Sequence, residues 1–382
     1  MASRLYRTTL PLYRAVEAAL RRLGLPALGT PTWAALVALA VTGLLLLDAR
    51  PTQTRVARVL PARAHDALNR LLRTMPFSTR ALMALLMAFV RRLDRPGYLI
   101  VDDVIVEKAY ARHLPWAGWT YSYAKQRTLY GLHIVVLLWC SHDEQWRIPV
   151  GFRLWRPKRS CRPGAYRTKL QLVEPLVEAT VAARLPVDYV VMDAGYTAGR
   201  LTKKLTRLGV TWHGVLHPHT KVYWKGHCLP LWLLAGFVEP HWRPHLGLRA
   251  TALTVVAPTY GRIRLVVTRN RHGNEEFLAS NDGACDLTTM VRRKWSRWAV
   301  ETLFRDAKQY ASLERCQSWV DQAMVRHVAL VLLSFVVLQL LRQRPSEPLA
   351  AVKERWQLAV LQNGERPPAP LRACPLELRP TA

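Results

Sequence analysis

Two short apolar, β-prone runs, each leading into aspartate, constrain this chain more than any other feature. Tyr98–Val101 (YLIV) runs into Asp102 and Asp103, and Val187–Met192 (VDYVVM) runs into Asp193. Between them lie two further strand-like runs, Leu129–Cys140 and Trp146–Trp155, and a stretch of helical spacing over 170–184; a basic helix is expected over 198–208. Strands interleaved with helices predict an α/β chain built on a mixed sheet. A carboxylate at the C-terminal end of a strand lies where open sheets gather reactive groups.

Charge narrows the partner. The 382 residues hold 55 Lys and Arg against 26 Asp and Glu, a net charge of +29, yet half of them are apolar. The apolar content excludes a disordered chain, and the charge predicts a polyanionic partner, nucleic acid first and an anionic membrane surface second. Residues 1–95 carry 15 Arg, no Lys and 4 acids, broken near prolines into short helical patterns. Arginine matches phosphates and guanine edges bidentately, so this stretch reads as an all-α DNA-binding region. The cysteines (Cys140, Cys161, Cys228, Cys285, Cys316, Cys374) are scattered without a CxxC pair, which argues against a zinc ribbon or disulfide scaffold and for a reducing cytoplasm. Arginines interrupt the apolar residues of the N-terminus, so no signal-peptide core is expected. The apolar runs Trp33–Leu47 and Val328–Leu341 are shorter than the roughly 20 residues that span a bilayer, so both read as buried helices and no membrane partner is expected.

Residues 211–287, rich in aromatics, histidines and short strand-like runs, read as a β-rich insertion between a first core part (96–210) and a second (288–344). A charged helix over 289–310 belongs to that second part, and a loosely packed tail is expected from 345 to 382. The charged helix brings the third acid. Arg297, Glu301 and Lys308 are spaced by four and seven residues and share one helical face. Two or three carboxylates from separate elements are the donor set that holds Mg²⁺, and phosphodiester chemistry commonly uses a pair of such ions. The acids Asp102 or Asp103, Asp193 and Glu301 are therefore the candidate catalytic and metal-holding residues. Strand alternation sends Asp102 and Asp103 to opposite faces, so one of them is the ligand; Asp102 is the first choice and Asp103 its alternative.

The order IVDD, VVMDAGY, R-x3-E-x6-K resembles insertion-sequence DDE transposases of the IS4/IS701 type over residues 98–342. That resemblance implies an RNase H-like core with a β-strand insertion ahead of the glutamate. It also implies two Mg²⁺ or Mn²⁺ ions and no zinc. Its partners would be double-stranded DNA, both the terminal inverted repeats and the target, bound by a homodimer in the bacterial cytoplasm. The family signature Y-x2-R-x3-E-x6-K is matched by Arg297, Glu301 and Lys308, whereas Lys294 stands at the tyrosine position. Lys294, Arg297 and Lys308 would then position phosphates by charge. A nuclease of the same fold without strand transfer and a non-catalytic DNA-binding relative share most of these features.

Residues 153–169 hold seven cations and no acid, with Trp155 and Tyr166 interleaved, and read as a DNA track through Arg156, Lys158 and Arg159. His213, His217, His219, His227 and Cys228 fit no standard zinc spacing. Trp212, Tyr223, Trp224, Trp232 and Trp242 divide between core packing and base stacking. GxGxxG, P-loop and GxSxG motifs are all missing, so nucleotide binding and serine hydrolysis have no support in the sequence.

Overall fold

The computed structural model describes residues 10–47, 52–60, 65–109, 111, 114–122 and 125–362. The N-terminal nine residues, the chain beyond 362 and with it Cys374 lie outside them. Strand β1 (Gly97–Glu107) pairs antiparallel with β3 (Arg127–Ser141) along its whole length. The outer side of β3 carries β2 (Gly118–Ser122) and β4 (Arg147–Trp155). On its other side β1 lies parallel to β5 (Tyr189–Met192), which lies parallel to β6 (Thr211–Leu216). The order β4-β3-β1-β5-β6, an antiparallel meander followed by two parallel strands, is the RNase H-like arrangement.

Past β6 the same sheet continues through β12 (Glu275–Ser280), β11 (Gly261–Arg269) and β10 (Leu248–Ala257) to the hairpin of β7 (Lys221–Trp224) and β8 (His227–Pro230). With the short β9 (His241–Arg243) on β10, the described residues make one twelve-stranded mixed sheet. Thr211–Leu216, expected to open the insertion, is instead the last parallel core strand. Its Trp212 is buried and pairs with Val190 in the sheet interior, which fixes the segment there. Strand β1 also departs from expectation. It does not stop at the two aspartates, because Val104 and Val106 alternate into the core and extend it to Glu107.

Among the described residues five α-helices precede the sheet: α1 (Pro11–Leu23), α2 (Pro31–Leu46), α3 (Gln53–Val59), α4 (His65–Arg73) and α5 (Thr79–Leu93). Thr30, Thr52 and Ser78 cap the second, third and fifth, each accepting from the backbone N–H three residues on. Further along, α6 (Lys169–Ala182) and α7 (Gly199–Arg207) flank the core strands, and α8 (Leu231–Phe237) follows β8. The expected single helix over 289–310 is two, α9 (Leu287–Ser296) and α10 (Trp298–Tyr310), with the break at Arg297.

The hydrophobic centre is α11 (Asp321–Leu340), which packs on α2, α4, α5, α10 and β4. It is long and apolar enough to cross a membrane, but 94% of its apolar window is buried inside the protein. The chain after 345 is not loose up to 362. Leu349, Val352 and Trp356, at helical spacing, bury one face of α12 (Leu349–Gln362), and Lys353 Nζ donates to the Tyr310 carbonyl at 3.2 Å. Phe335, fully enclosed on α11, sets a test of this centre. Phe335→Ala should cost about 3–5 kcal/mol in chemical denaturation with little change in the slope against denaturant.

Candidate active site

Register places the first two acids side by side. The parallel pairing of β1 with β5 runs from Tyr98↔Tyr189 to Val101↔Met192, so Asp102 and Asp193 are the next residues on two adjacent strands. Asp102 is 9% exposed. Burial raises its pKa to about 7, with the nearby Asp193 charge pushing the same way and Arg297 opposing. Asp193 is raised too, chiefly by burial, while the Tyr196 N–H that donates to its Oδ1 at 3.0 Å pulls the other way.

Arg297, at the break between α9 and α10, brings in the third acid. Its Nη1 donates to Asp102 Oδ2 at 2.5 Å and its Nη2 donates to Glu301 Oε1 one turn along α10. Burial works against the guanidinium charge, but Asp102, Glu301 and Asp193 outweigh it and hold the Arg297 pKa above its ordinary value. Asp102 and Glu301 therefore share a single guanidinium, and Asp193 is near enough to add its charge to theirs.

Asp103 lies on the other face of β1. Lys169 Nζ at the start of α6 donates to its Oδ2 at 2.7 Å, the Tyr196 hydroxyl donates to its Oδ1 at 2.8 Å, and His133 Nδ1 stands 3.3 Å from Oδ2. Burial opposes its charge, yet these donors prevail and hold its pKa down at about 2. Its oxygens are committed to that network, on the side away from Arg297, whereas Asp102 faces the other two acids.

Several expected phosphate contacts are committed elsewhere. Lys294 Nζ is 2.8 Å from Glu276 Oε2, because one turn of α9 aims it at β12 rather than along the face of Glu301. Lys308 Nζ reaches the Ile105 carbonyl at 3.3 Å and Glu314 at 3.1 Å, bracing α10 against β1. In the basic segment, Arg156 pairs with Asp321 at 3.0 Å and lies over the Trp116 ring, and Arg159 donates to the Ala117 carbonyl at 3.4 Å. Lys158 beside them is exposed. Among the insertion aromatics Trp212 is core, whereas Tyr223, Trp232 and Trp242 are exposed. So are Trp295, next to Lys294, and Trp298, which follows Arg297. His213 is held by Arg293 at 2.7 Å, and burial lowers its pKa to about 3.

Among the described residues no three His, Cys, Asp or Glu side chains already converge as ligands of one metal ion, and Arg297 stands between Asp102 and Glu301. The donors nonetheless fit a hard dication: they are carboxylate oxygens alone, and the buried Asp102 and half-buried Asp193 are electrostatically coupled.

Residues 25–230 match the DDE superfamily endonucleases, and the chain belongs to that family. The matched span includes Asp102 and Asp193 and ends before Glu301. No curated protein matches the chain. Membership makes this a nuclease-type enzyme whose substrate is DNA and whose family works with divalent metals.

The raised Asp102 pKa has a consequence for stability without metal. A carboxyl whose folded pKa lies above its unfolded value stabilises the fold at low pH, and that contribution fades as pH rises from about 4 through 7. Urea melts in EDTA should show the wild type losing stability across that range, and Asp102→Asn should flatten the loss.

Proposed function

We propose that this chain is a DDE transposase that cuts DNA at the ends of its own mobile element and joins the freed end to target DNA. The observation that carries the reading is Arg297 contacting both Asp102 and Glu301, with Asp193 just past the end of the strand beside Asp102. Two acids remote in sequence meet at one guanidinium with the third beside them, and the family is one of DNA endonucleases.

In this reading Asp102, Asp193 and Glu301 hold the divalent ions, Mg²⁺ or Mn²⁺. Such ions, when bound, acidify the attacking water or 3′-hydroxyl and offset charge at the scissile phosphate, so no side-chain nucleophile is required. Arg297 keeps the acids apart from one another without metal and offers its charge to a phosphate once they are otherwise engaged. The Arg-rich helices of residues 1–95 grip the terminal inverted repeats, and the exposed indoles of Trp295 and Trp298 flank the cutting site. The active species is a homodimer on paired ends, in the bacterial cytoplasm. Strand transfer beyond simple cutting is supported by the R-x3-E-x6-K pattern on the helix of the third acid.

The test is a plasmid carrying the DNA that flanks the gene, incubated with the full chain and Mg²⁺ or Mn²⁺. Cleavage at the element ends followed by joining to a second plasmid is expected. Cleavage without joining leaves an endonuclease, and neither reaction overturns the proposal. Asp102→Asn, Asp193→Asn and Glu301→Gln should each slow cleavage about a thousandfold, roughly 4 kcal/mol of barrier, with DNA binding retained. Asp103→Asn tests the opposite face, and its loss should be smaller. Lys158→Glu should reduce the slope of log K against log salt by about one unit, since roughly 0.9 counterion is released per phosphate neutralised.

A further inference from the structure

The turn that follows β5 is tethered far more heavily than a surface loop needs. The Thr197 N–H and hydroxyl both donate to the Asp193 carbonyl, at 2.9 and 2.6 Å, and the Tyr196 N–H donates to the Asp193 carboxylate. Tyr196 then crosses to the other face of β1, where its hydroxyl donates to Asp103 at 2.8 Å. From the opposite direction the hydroxyl of Tyr260, at the tip of the β10–β11 hairpin, donates to the Thr197 carbonyl at 2.8 Å.

Two glycines make room for this cradle. A Cβ on Gly214 would stand 2.2 Å from the Thr197 hydroxyl, and one on Gly199 would stand 2.3 Å from the methyl of Thr259. The turn is thus closed in by β6 beneath and by the hairpin tip above. Asp103 completes the arrangement. It is a half-buried carboxylate on the face of β1 away from Arg297, and Lys169, Tyr196 and His133 offset the cost of keeping its charge there. An apolar side chain would serve stability as well, but it would give the Tyr196 hydroxyl nothing to hold.

We propose that Tyr196, anchored on Asp103, and Tyr260, reaching in from the β10–β11 hairpin, are positioning residues that fix Asp193 for metal binding and couple the insertion to the catalytic acids. The inference rests on the reading of Asp193 as a metal-holding acid. The Asp193 carboxylate, held by the Tyr196 N–H just past the end of β5, keeps its place beside Asp102 only while its turn is clamped from both sides. A movement of the hairpin, such as DNA seated on the insertion would impose, is transmitted through one hydroxyl to the Thr197 carbonyl and so to the turn. Asp103 is then a support for Asp193 and not a ligand in its own right.

Tyr196→Phe and Tyr260→Phe remove one hydroxyl each and leave the packing intact. Mn²⁺ binding to the full chain, followed by electron paramagnetic resonance, should weaken about tenfold in each variant. The turnover of DNA cutting should fall by a similar factor, with KM for DNA and thermal melting close to wild type. Because both hydroxyls hold one turn, the double variant should lose less than the product of the single losses. Gly214→Ala, which presses on Thr197 without touching either tyrosine, should reproduce the weakened Mn²⁺ binding. Unchanged Mn²⁺ affinity in both tyrosine variants would overturn the proposal, as would losses that only track a drop in melting temperature. A wild type that binds Mn²⁺ but cuts no DNA would sink the transposase reading instead, and the Mn²⁺ isotherms would still decide the role of the tyrosines.

Discussion

Two carboxylates on neighbouring strands at the centre of a sheet repel one another, and everything around them is arranged to live with that repulsion. The parallel register of β1 and β5 brings Asp102 and Asp193 together, and burial makes their charges costly. The break between α9 and α10 at Arg297 delivers a guanidinium into the gap and carries Glu301 with it. A charged group at low dielectric persists when paired, and a cationic partner can yield its place to a stronger cation. The same electrostatic stress that burdens the fold is what a divalent cation would relieve in the proposed reading.

Much of this was legible in the sequence because strands and acids follow local rules. The runs YLIV and VVM are too apolar and β-branched to be anything but buried strands, and the aspartates after them stand where reactive groups gather. The 297–301 spacing correctly put an arginine and a glutamate on one face. Other features depended on distant partners. Whether Asp102 or Asp103 faces α10 was open from alternation alone, because nothing local says which face of β1 meets that helix. The partners of Asp103 are scattered over His133, Lys169 and Tyr196. Of these, Tyr196 lay in plain sight in the DAGY motif, three residues past Asp193, where a backbone N–H turns back onto an aspartate side chain.

The cations were harder to read. Lys294 and Arg156 looked available to DNA by count of charge, yet each had an acid waiting in another element, Glu276 on β12 and Asp321 at the start of α11. Composition records how many charges a surface carries and not which are already spent on neighbours. The long apolar α11 gave the opposite case. Its membrane-like composition follows from being surrounded on all sides by α2, α4, α5, α10 and β4, and a helix buried all round is apolar all round.

The seam where β12 lies antiparallel to β6 has its own meaning for how such a chain can diversify. The excursion from one to the other leaves and rejoins the sheet a single strand-width apart, about 4.8 Å. Whatever is spliced between those two points, long or short, need not disturb the spacing of the acids, since closing a larger excursion across a fixed seam costs little. The segment behaves as an exchangeable cassette with one obligation: some side chain at its tip must still reach the Thr197 carbonyl. Change there leaves the strands that carry Asp102 and lead to Asp193 where they are.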